Sequence, residues 1–451
     1  MGKITLKQAA EWCGGKIDPK YADVEFLGAN NDTRIIKEGQ LFLALKGTRD
    51  GHDFIPMAFE KGAAAVLCEH CDGDYPAIVV EDTRIALGKI ANGERHRIGM
   101  KVVGVTGSVG KSTTKEMIST VLETTFRTAK TPANHNNDIG MPMGILSMPG
   151  DTEVAVLEMG MNHFREMAYL SGIGQPDVAV IVNIGTMHIE HLGSQEGILQ
   201  AKLEILEGMQ ADAPVLLNGD DKYLQTAQCG MHPVTYFGVG ENCAVRGLEP
   251  EISTGCVRFR VKAGNLEFPI ELPVEGEHFV CDALAAVAVG LQLGVEPGKI
   301  QESLSNFRNM AGRQEIYEKE GYTIISDCYN AGPESMAAAL KVLGRQSGRK
   351  IAVLGDMLEL GTCTTAEHYK VGRLAAEQAD HLLAFGPNGN RMVKGAMTGG
   401  MGCCAARSFT DRQMLVLELK RLARPGDVIL FKGSRGMHME LALELFFKDE
   451  R

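Results

Sequence analysis

The sequence predicts an α/β protein of three domains, and three observations carry that expectation. The chain has 451 residues, more than one ordinary domain and about what three would need. Short apolar runs of strand length alternate with stretches of helical periodicity, the pattern of parallel sheets covered on both faces. That alternation restarts along the chain, dividing it into blocks at 1–98, 99–311 and 312–451.

The first block carries strand-like runs at 41–45, 64–67 and 77–80, separated by turns rich in glycine and aspartate. The second opens at Lys101 with a Val-Val-Gly-Val strand and a glycine loop. Met117, Ile118, Val121, Leu122 and Phe126 then recur at helical spacing. Buried-strand runs follow at 154–157, 178–182 and 215–217. Residues 234–274 show shorter alternating runs and read as an antiparallel excursion within this domain. The third block places strands at 322–326, 351–354, 382–385 and 428–431. Each ends in a polar or glycine-rich turn, where open α/β sheets bind ligands.

Composition narrows the function. With 44% hydrophobic and 23% charged residues the chain has the balance of a soluble globular protein. No apolar run approaches the roughly 18–20 residues that span a bilayer, so membrane embedding is not expected. The opening MGKITLKQAAEWCGG lacks the continuous apolar core of a secretory signal, and Leu6 removes Gly2 from a myristoylation motif. A cytoplasmic location is expected. The net charge of −11, from 46 basic and 57 acidic residues, argues against a nucleic-acid partner. Anions can still bind through a few aimed groups at helix N-termini. Eleven scattered cysteines fit a reducing compartment. The pair Cys68 and Cys71 has no second pair at zinc-ribbon spacing, and the adjacent Cys403 and Cys404 read as small core residues.

Residues 107–112, GSVGKS, stand between a strand and a helix, the context a phosphate loop requires. Gly107 and Gly110 let the amides of Ser108 and its neighbours turn inward, and the helix N-terminus adds a favourable dipole. Lys111 supplies a charge for the β- and γ-phosphates, and Ser112, followed by Thr113, a hydroxyl for Mg²⁺. Val105 stands where the common motif has its first glycine, so this is a shortened form. Such a loop serves kinases, switch GTPases, motors and ligases alike.

Polar groups at strand ends add detail. Glu158 follows the run 154–157, the place for a carboxylate that holds Mg²⁺, although a surface glutamate fits the same pattern. Asn183 and His188 follow the next strand, where a lone histidine is more often structural. Lys202 lies on a helical stretch, where lysine is ordinarily solvated. Between 131 and 140, TPANHNNDIG carries Asn134, Asn136 and Asn137. It reads as a surface turn or as a set of neutral donors and acceptors orienting a substrate.

Taken together, TGSVGKSTT at 106–114, NHNNDIG at 134–140, EMG at 158–160 and HIEHLGSQEGILQAK at 188–202 resemble the Mur ligases of peptidoglycan synthesis. The match covers all three blocks. The runs IAVLGDMLELG at 351–361, DCYNAGPESM at 327–336 and KGSRGM at 432–437 resemble the member adding D-alanyl-D-alanine to UDP-N-acetylmuramoyl-tripeptide. Asp32-Thr33-Arg34, with 41–47 and DGHD at 50–53, resembles that enzyme's UDP-binding domain.

The resemblance implies a small α/β N-terminal domain binding UDP, a central ATPase-like domain and a Rossmann-like C-terminal domain. It implies ATP contacts from Gly107, Ser108, Gly110, Lys111, Ser112 and Thr113, from Asn134, Asn137 and His278, and from Arg313, Asp327, Tyr329 and Asn330. Ser112, Glu158, His188 and a CO₂-carbamylated Lys202 would serve two Mg²⁺ ions, with Lys111, Lys202 and His188 as the catalytic group. Thr33, Arg34, Lys46, Gly47 and Asn162 would meet the nucleotide-peptide, and Lys432, Ser434 and Arg435 the D-alanyl-D-alanine end. The expected partners are these two small substrates, and the expected assembly is a monomer. Phe279 and Asp282 stand where the family carries asparagines, which removes one amide from the adenine side. Two rivals remain: another ligase on this scaffold, such as the one adding the third residue or a folylpolyglutamate synthase, and a nucleotide-dependent switch.

Overall fold

The valine-rich run Lys101–Thr106 is buried along almost its whole length and becomes the strand around which the central sheet is built. It pairs in parallel with Val154–Glu158 on one side and Val178–Ile181 on the other. Thr128–Lys130 closes the first edge, while Val215–Asn218 and Val234–Gly238 continue the parallel ladder in the other direction. Val245–Ser253, Cys256–Ala263 and Leu266–Leu272 then extend the same sheet to nine strands. The computed structural model describes residues 3–310 and 312–448. Gly2 and the expected boundary residue Ala311 lie outside the described residues.

The antiparallel excursion expected over 234–274 is narrower than its sequence suggests. Val234–Gly238 is parallel to both neighbours, and antiparallel pairing begins only between Val245–Ser253 and Cys256–Ala263. The parallel step rests on just two pairs, Phe237 with Val245 and Gly238 with Arg246. So short an overlap needs only a short loop, and side-chain alternation does not distinguish it from a hairpin.

The C-terminal sheet has six strands. Tyr322–Asp327, Val428–Lys432, Lys350–Gly355, His381–Phe385 and Ala406–Phe409 run in parallel, with Glu315–Lys319 antiparallel at one edge. The two edge strands escaped the sequence reading because each has little or no buried apolar alternation to reveal it. In the N-terminal region Ala29–Asn30, Leu41–Leu43, Ala65–Cys68 and Ala77–Val79 form a four-stranded parallel sheet.

One apolar cluster runs from Leu6, Phe26 and Leu67 through Leu87 and Ile90 of helix Thr83–Ile98 into Met141, Leu157 and Ile181. The first block therefore shares a core with one face of the central sheet. Each fully buried aliphatic side chain there contributes about 1.5–3 kcal/mol, so the junction is held firmly. Phe126 falls beyond the end of helix Lys111–Leu122 yet still packs on the other face. Cys403 and Cys404 are not core residues: both are exposed in the turn before Ala406–Phe409, their thiols 4.0 Å apart and not joined in a disulfide. That turn crosses the surface, and it is Met401 and Ala406 on either side of it that reach the interior. Among the described residues, no helix is long and apolar enough to cross a membrane.

Candidate active site

Strand Lys101–Thr106 ends directly in the glycine loop, and helix Lys111–Leu122 begins where the loop ends. Gly110 caps that helix at φ 85°, and a Cβ there would lie 2.9 Å from Asp282 Oδ1, so only glycine fits. Asn183 Oδ1 accepts from the amides of Ser108 at 3.0 Å and Val109 at 2.9 Å, and its Nδ2 donates to the Val109 carbonyl at 2.9 Å. The loop is thus fastened to the neighbouring strand. Lys111 Nζ donates to the carbonyls of Gly107 at 2.7 Å and Ser108 at 3.1 Å. Burial lowers its pKa most, Glu158 opposes that, and Arg313 adds to it. A cavity of about 520 Å³ opens over this loop, with the C-terminal domain as its far wall.

Glu158 is the last residue of its strand rather than the one after it, and it is only 1% exposed. Asn136 Nδ2 donates to its Oε1 at 2.8 Å, while Oε2 has no hydrogen-bond partner. The nearby cation is Lys115, whose Nζ lies 3.8 Å from Oε2. That lysine is fully buried and donates to the carbonyls of Thr131 at 2.8 Å and Ala133 at 3.0 Å. The asparagine-rich segment is therefore not a free surface turn but is stapled to the phosphate-loop helix. Asn137 Oδ1 accepts from the Gly140 amide at 2.7 Å, and Asn134 lines the cavity.

Ser112 Oγ is buried and accepts from Arg313 Nη2 at 2.9 Å. His188, in a left-handed conformation at φ 64°, meets Glu359 Oε2 through Nδ1 at 2.7 Å, a contact that lowers the Glu359 pKa. Lys202 is not solvated: helix Gln195–Leu203 turns it inward, 2% exposed. It does not line the cavity, and no hydrogen bond or ion pair holds its ammonium among the described residues. Burial, then the charge of Lys111, pull its pKa well below that of an ordinary lysine.

On the far wall the Arg313 guanidinium stacks 3.8 Å from the Tyr329 ring centre. Asp327 pairs with Lys432 at 2.6 Å, and Lys432 also donates to the Asn330 carbonyl at 3.0 Å. Its charge is spent within the wall. Ser434 stands behind the lining, where its Oγ donates to the Ala331 carbonyl at 3.0 Å. Arg435 does line the cavity. At the other end lies His278, tilted against Phe279 with 4.2 Å between ring centres; burial pulls its pKa down to about 4, leaving it neutral. Asp282, pushed up to about 7 by burial, accepts from Thr114 Oγ1 at 2.7 Å.

The expected nucleotide contacts at Ser108, Gly110, Lys111, Ser112 and Thr113 share this cavity with Asn134, Asn137, His278 and Arg313. Asp327, Tyr329, Asn330, Glu158, His188 and Asn162 are in it as well. Gly107 lies just behind the lining. Thr33, Arg34, Lys46 and Gly47 are elsewhere, in turns that follow strands of the N-terminal sheet. There Arg34 pairs with Asp32 at 2.6 Å, Lys46 pairs with Glu69, and Thr33 Oγ1 points at Met57 Sδ 3.5 Å away. Lys115 and Glu334 were not singled out from the sequence. Lys115 sits one turn after Lys111 on the same helix face, which was the available signal. A separate groove of about 620 Å³ on the antiparallel extension is walled by Arg258, Arg260, Glu249 and Glu271, charges paired with one another rather than aimed inward.

Models of the Mur ligase family match in three parts: the catalytic domain over residues 25–95, the middle domain over 105–290 and the glutamate ligase domain over 312–435. UDP-N-acetylmuramoyl-tripeptide--D-alanyl-D-alanine ligase of Bacillus subtilis is 39% identical over 450 residues, covering 98% of this chain and 97% of that protein. The enzyme of the same name from Escherichia coli is 33% identical, with the same coverage. A crystal structure of MurF from Acinetobacter baumannii superposes with a TM-score of 0.90 at 33% identity, covering 99% of each chain. MurF ligase from Thermotoga maritima in complex with ADP superposes with a TM-score of 0.82 at 30% identity, covering 93% of this chain and 97% of that one.

Proposed function

We propose, from the premise that this chain belongs to the Mur ligase family, that it joins D-alanyl-D-alanine to the terminal carboxylate of UDP-N-acetylmuramoyl-tripeptide at the expense of ATP. The products are the pentapeptide precursor of peptidoglycan, ADP and phosphate. One observation carries the chemistry. The phosphate loop and the 327–336 segment face each other across a single cavity, so the activating and receiving halves of the reaction meet in one place.

A carboxylate is a poor acyl donor because its leaving group would be oxide. Transfer of the γ-phosphoryl group to it gives an acyl phosphate, from which phosphate leaves easily. The amine attacks, and the tetrahedral oxyanion collapses to the amide. Lys111 and the loop amides hold the phosphates, supplying aimed positive charge inside a cleft that excludes water. Arg313 and Tyr329 clamp the same region from the C-terminal side.

Ser112, Glu158 and His188 would hold two Mg²⁺ ions, and the buried oxygen of Glu158 that lacks a hydrogen-bond partner fits a divalent cation. Bound there, the metal neutralises charge on the phosphoryl group and the carboxylate. Lys202 fits carbamylation, since burial lowers its pKa and so favours the free amine that reacts with CO₂, and the resulting anion suits a metal site. Arg435 presents the charge for the carboxylate of D-alanyl-D-alanine, with Lys432 and Ser434 shaping the wall behind it. Asn162 faces the peptide, and Thr33, Arg34, Lys46 and Gly47 meet the UDP end. The chain works as a cytoplasmic monomer, its labour divided over 1–98, 99–311 and 312–451.

The test is ADP release. It should require ATP, the tripeptide nucleotide and D-alanyl-D-alanine together. Release that depends on a single amino acid instead would move the chain to another Mur ligase.

A further inference from the structure

At neutral pH an amine substrate arrives as an ammonium, and the cavity sets the carboxylates of Glu158, Glu166, Asp282, Asp327 and Glu334 among the cations Lys111, Arg313, Lys432 and Arg435. Some carboxylate must receive it. Asp327 is spent on Lys432 at 2.6 Å. Glu166 is spent on the Asn162 amide at 2.7 Å and on His163 at 3.0 Å. Asp282 lies under the loop, bonded to Thr114. Glu158 is beside Lys115 and in the place of a metal ligand. Glu334 is different. Its Oε1 accepts from both the amide and the hydroxyl of Thr186, at 3.0 and 3.1 Å, while its buried Oε2 accepts nothing.

Its position suits the reaction. Glu334 belongs to the first turn of helix Pro333–Arg345 in the C-terminal domain but reaches across to the central one. A single point, where a Cβ on Gly185 would stand, is 3.0 Å from Glu334 Cδ and 3.1 Å from Ser108 Cβ. The carboxylate is thus beside the mouth of the phosphate loop. It lies at a helix N-terminus, and the two Thr186 bonds fix its orientation. Oε2 is left with unused accepting capacity on a residue that lines the cavity.

We propose that Glu334 is the docking point for the ammonium of the incoming amine substrate. The assignment rests on the ligase reading above and adds the residue that receives the nucleophile. Glu334 holds the amine next to the acyl phosphate, and the Thr186 contact ties its arrival to docking of the C-terminal domain.

The test separates amine binding from the earlier step. Wild-type ADP release with all three substrates is the control, and its failure would remove the ligase reading itself. In Glu334→Gln, which can keep the acceptor facing Thr186, the KM for D-alanyl-D-alanine should rise about ten-fold or more. The KM for ATP should stay within about two-fold, as should tripeptide-dependent exchange of label between ADP and ATP, a step completed before the amine enters. Glu334→Asp, which keeps the charge, should recover part of the lost affinity, and it carries the test if the Gln variant does not fold. An unchanged dipeptide KM would overturn the assignment, leaving Glu334 as a domain latch. An equal fall in exchange and in amide formation would overturn it too, placing Glu334 at phosphoryl transfer.

Discussion

Around the phosphate loop the polar groups are buried and aimed, whereas in the turns beside the N-terminal sheet Arg34 and Lys46 are exposed and paired with Asp32 and Glu69. Burial makes the first region electrostatically strong: Lys111, Lys202 and His278 all have depressed pKa values, and Asp282 a raised one. In the second region the charges sit in water, where each pair is worth little. The lesson is a division of roles. The buried region fixes its charges in place, while the exposed one leaves them in water, where the reading proposed above has them hold a long substrate by its far end.

Breaking the buried region should cost most. Lys111→Ala should lower ADP formation by about a thousand-fold or more with the fold intact, read by enzyme assay and circular dichroism. Near-normal turnover would refute the phosphate-loop assignment. Lys202→Ala should be inactive and partly restored by small added carboxylates, which replace the anion of a carbamate. A fully active variant would eliminate carbamylation.

Asp282 gives a smaller, pH-dependent effect. Its folded pKa of about 7 stands above the unfolded value, so the folded protein keeps a proton the unfolded chain has lost. Stability therefore falls as pH rises from about 4 to about 7 and levels off above that. Asp282→Asn should abolish that slope, stabilising the protein above pH 7 by up to about 4 kcal/mol and not at all near pH 4. Melting curves at several pH values would check this, and a difference independent of pH would contradict it. The smallest effect belongs to the exposed region. Arg34→Ala should raise the KM for the UDP substrate by roughly two- to ten-fold, leaving kcat and melting temperature unchanged. A large loss of kcat would erase the contrast between the two regions.

The loop at 107–112 was legible because its chemistry needs a fixed spacing between a buried strand and a helix, and both flanks are strongly periodic. Glu158 was legible as a polar residue ending an apolar run. What it lacks, a partner for Oε2, is a fact of packing and has no sequence signature. Lys115 and Lys202 look like any surface lysine on a helix, and only the tertiary fold turns them inward. Glu334 stood in plain view within the 327–336 motif, but its partner Thr186 is 148 positions away in the chain. Edge strands Glu315–Lys319 and Ala406–Phe409 were lost because one-sided or exposed pairing leaves little apolar alternation.

The antiparallel extension of the central sheet offers a vantage point for observation. Strand Cys256–Ala263 lies five strand spacings from Lys101–Thr106, about 24 Å at the usual separation. At its tip Gly264 adopts φ 58° with nothing near its Cβ position, and Asn265 beside it is exposed. A dye attached through Asn265→Cys would stand clear of the chemistry, while the exposed Cys403 and Cys404 offer thiols on the C-terminal domain for a second. Energy transfer between the two would turn motion of one domain against the other into an optical signal, read while turnover proceeds.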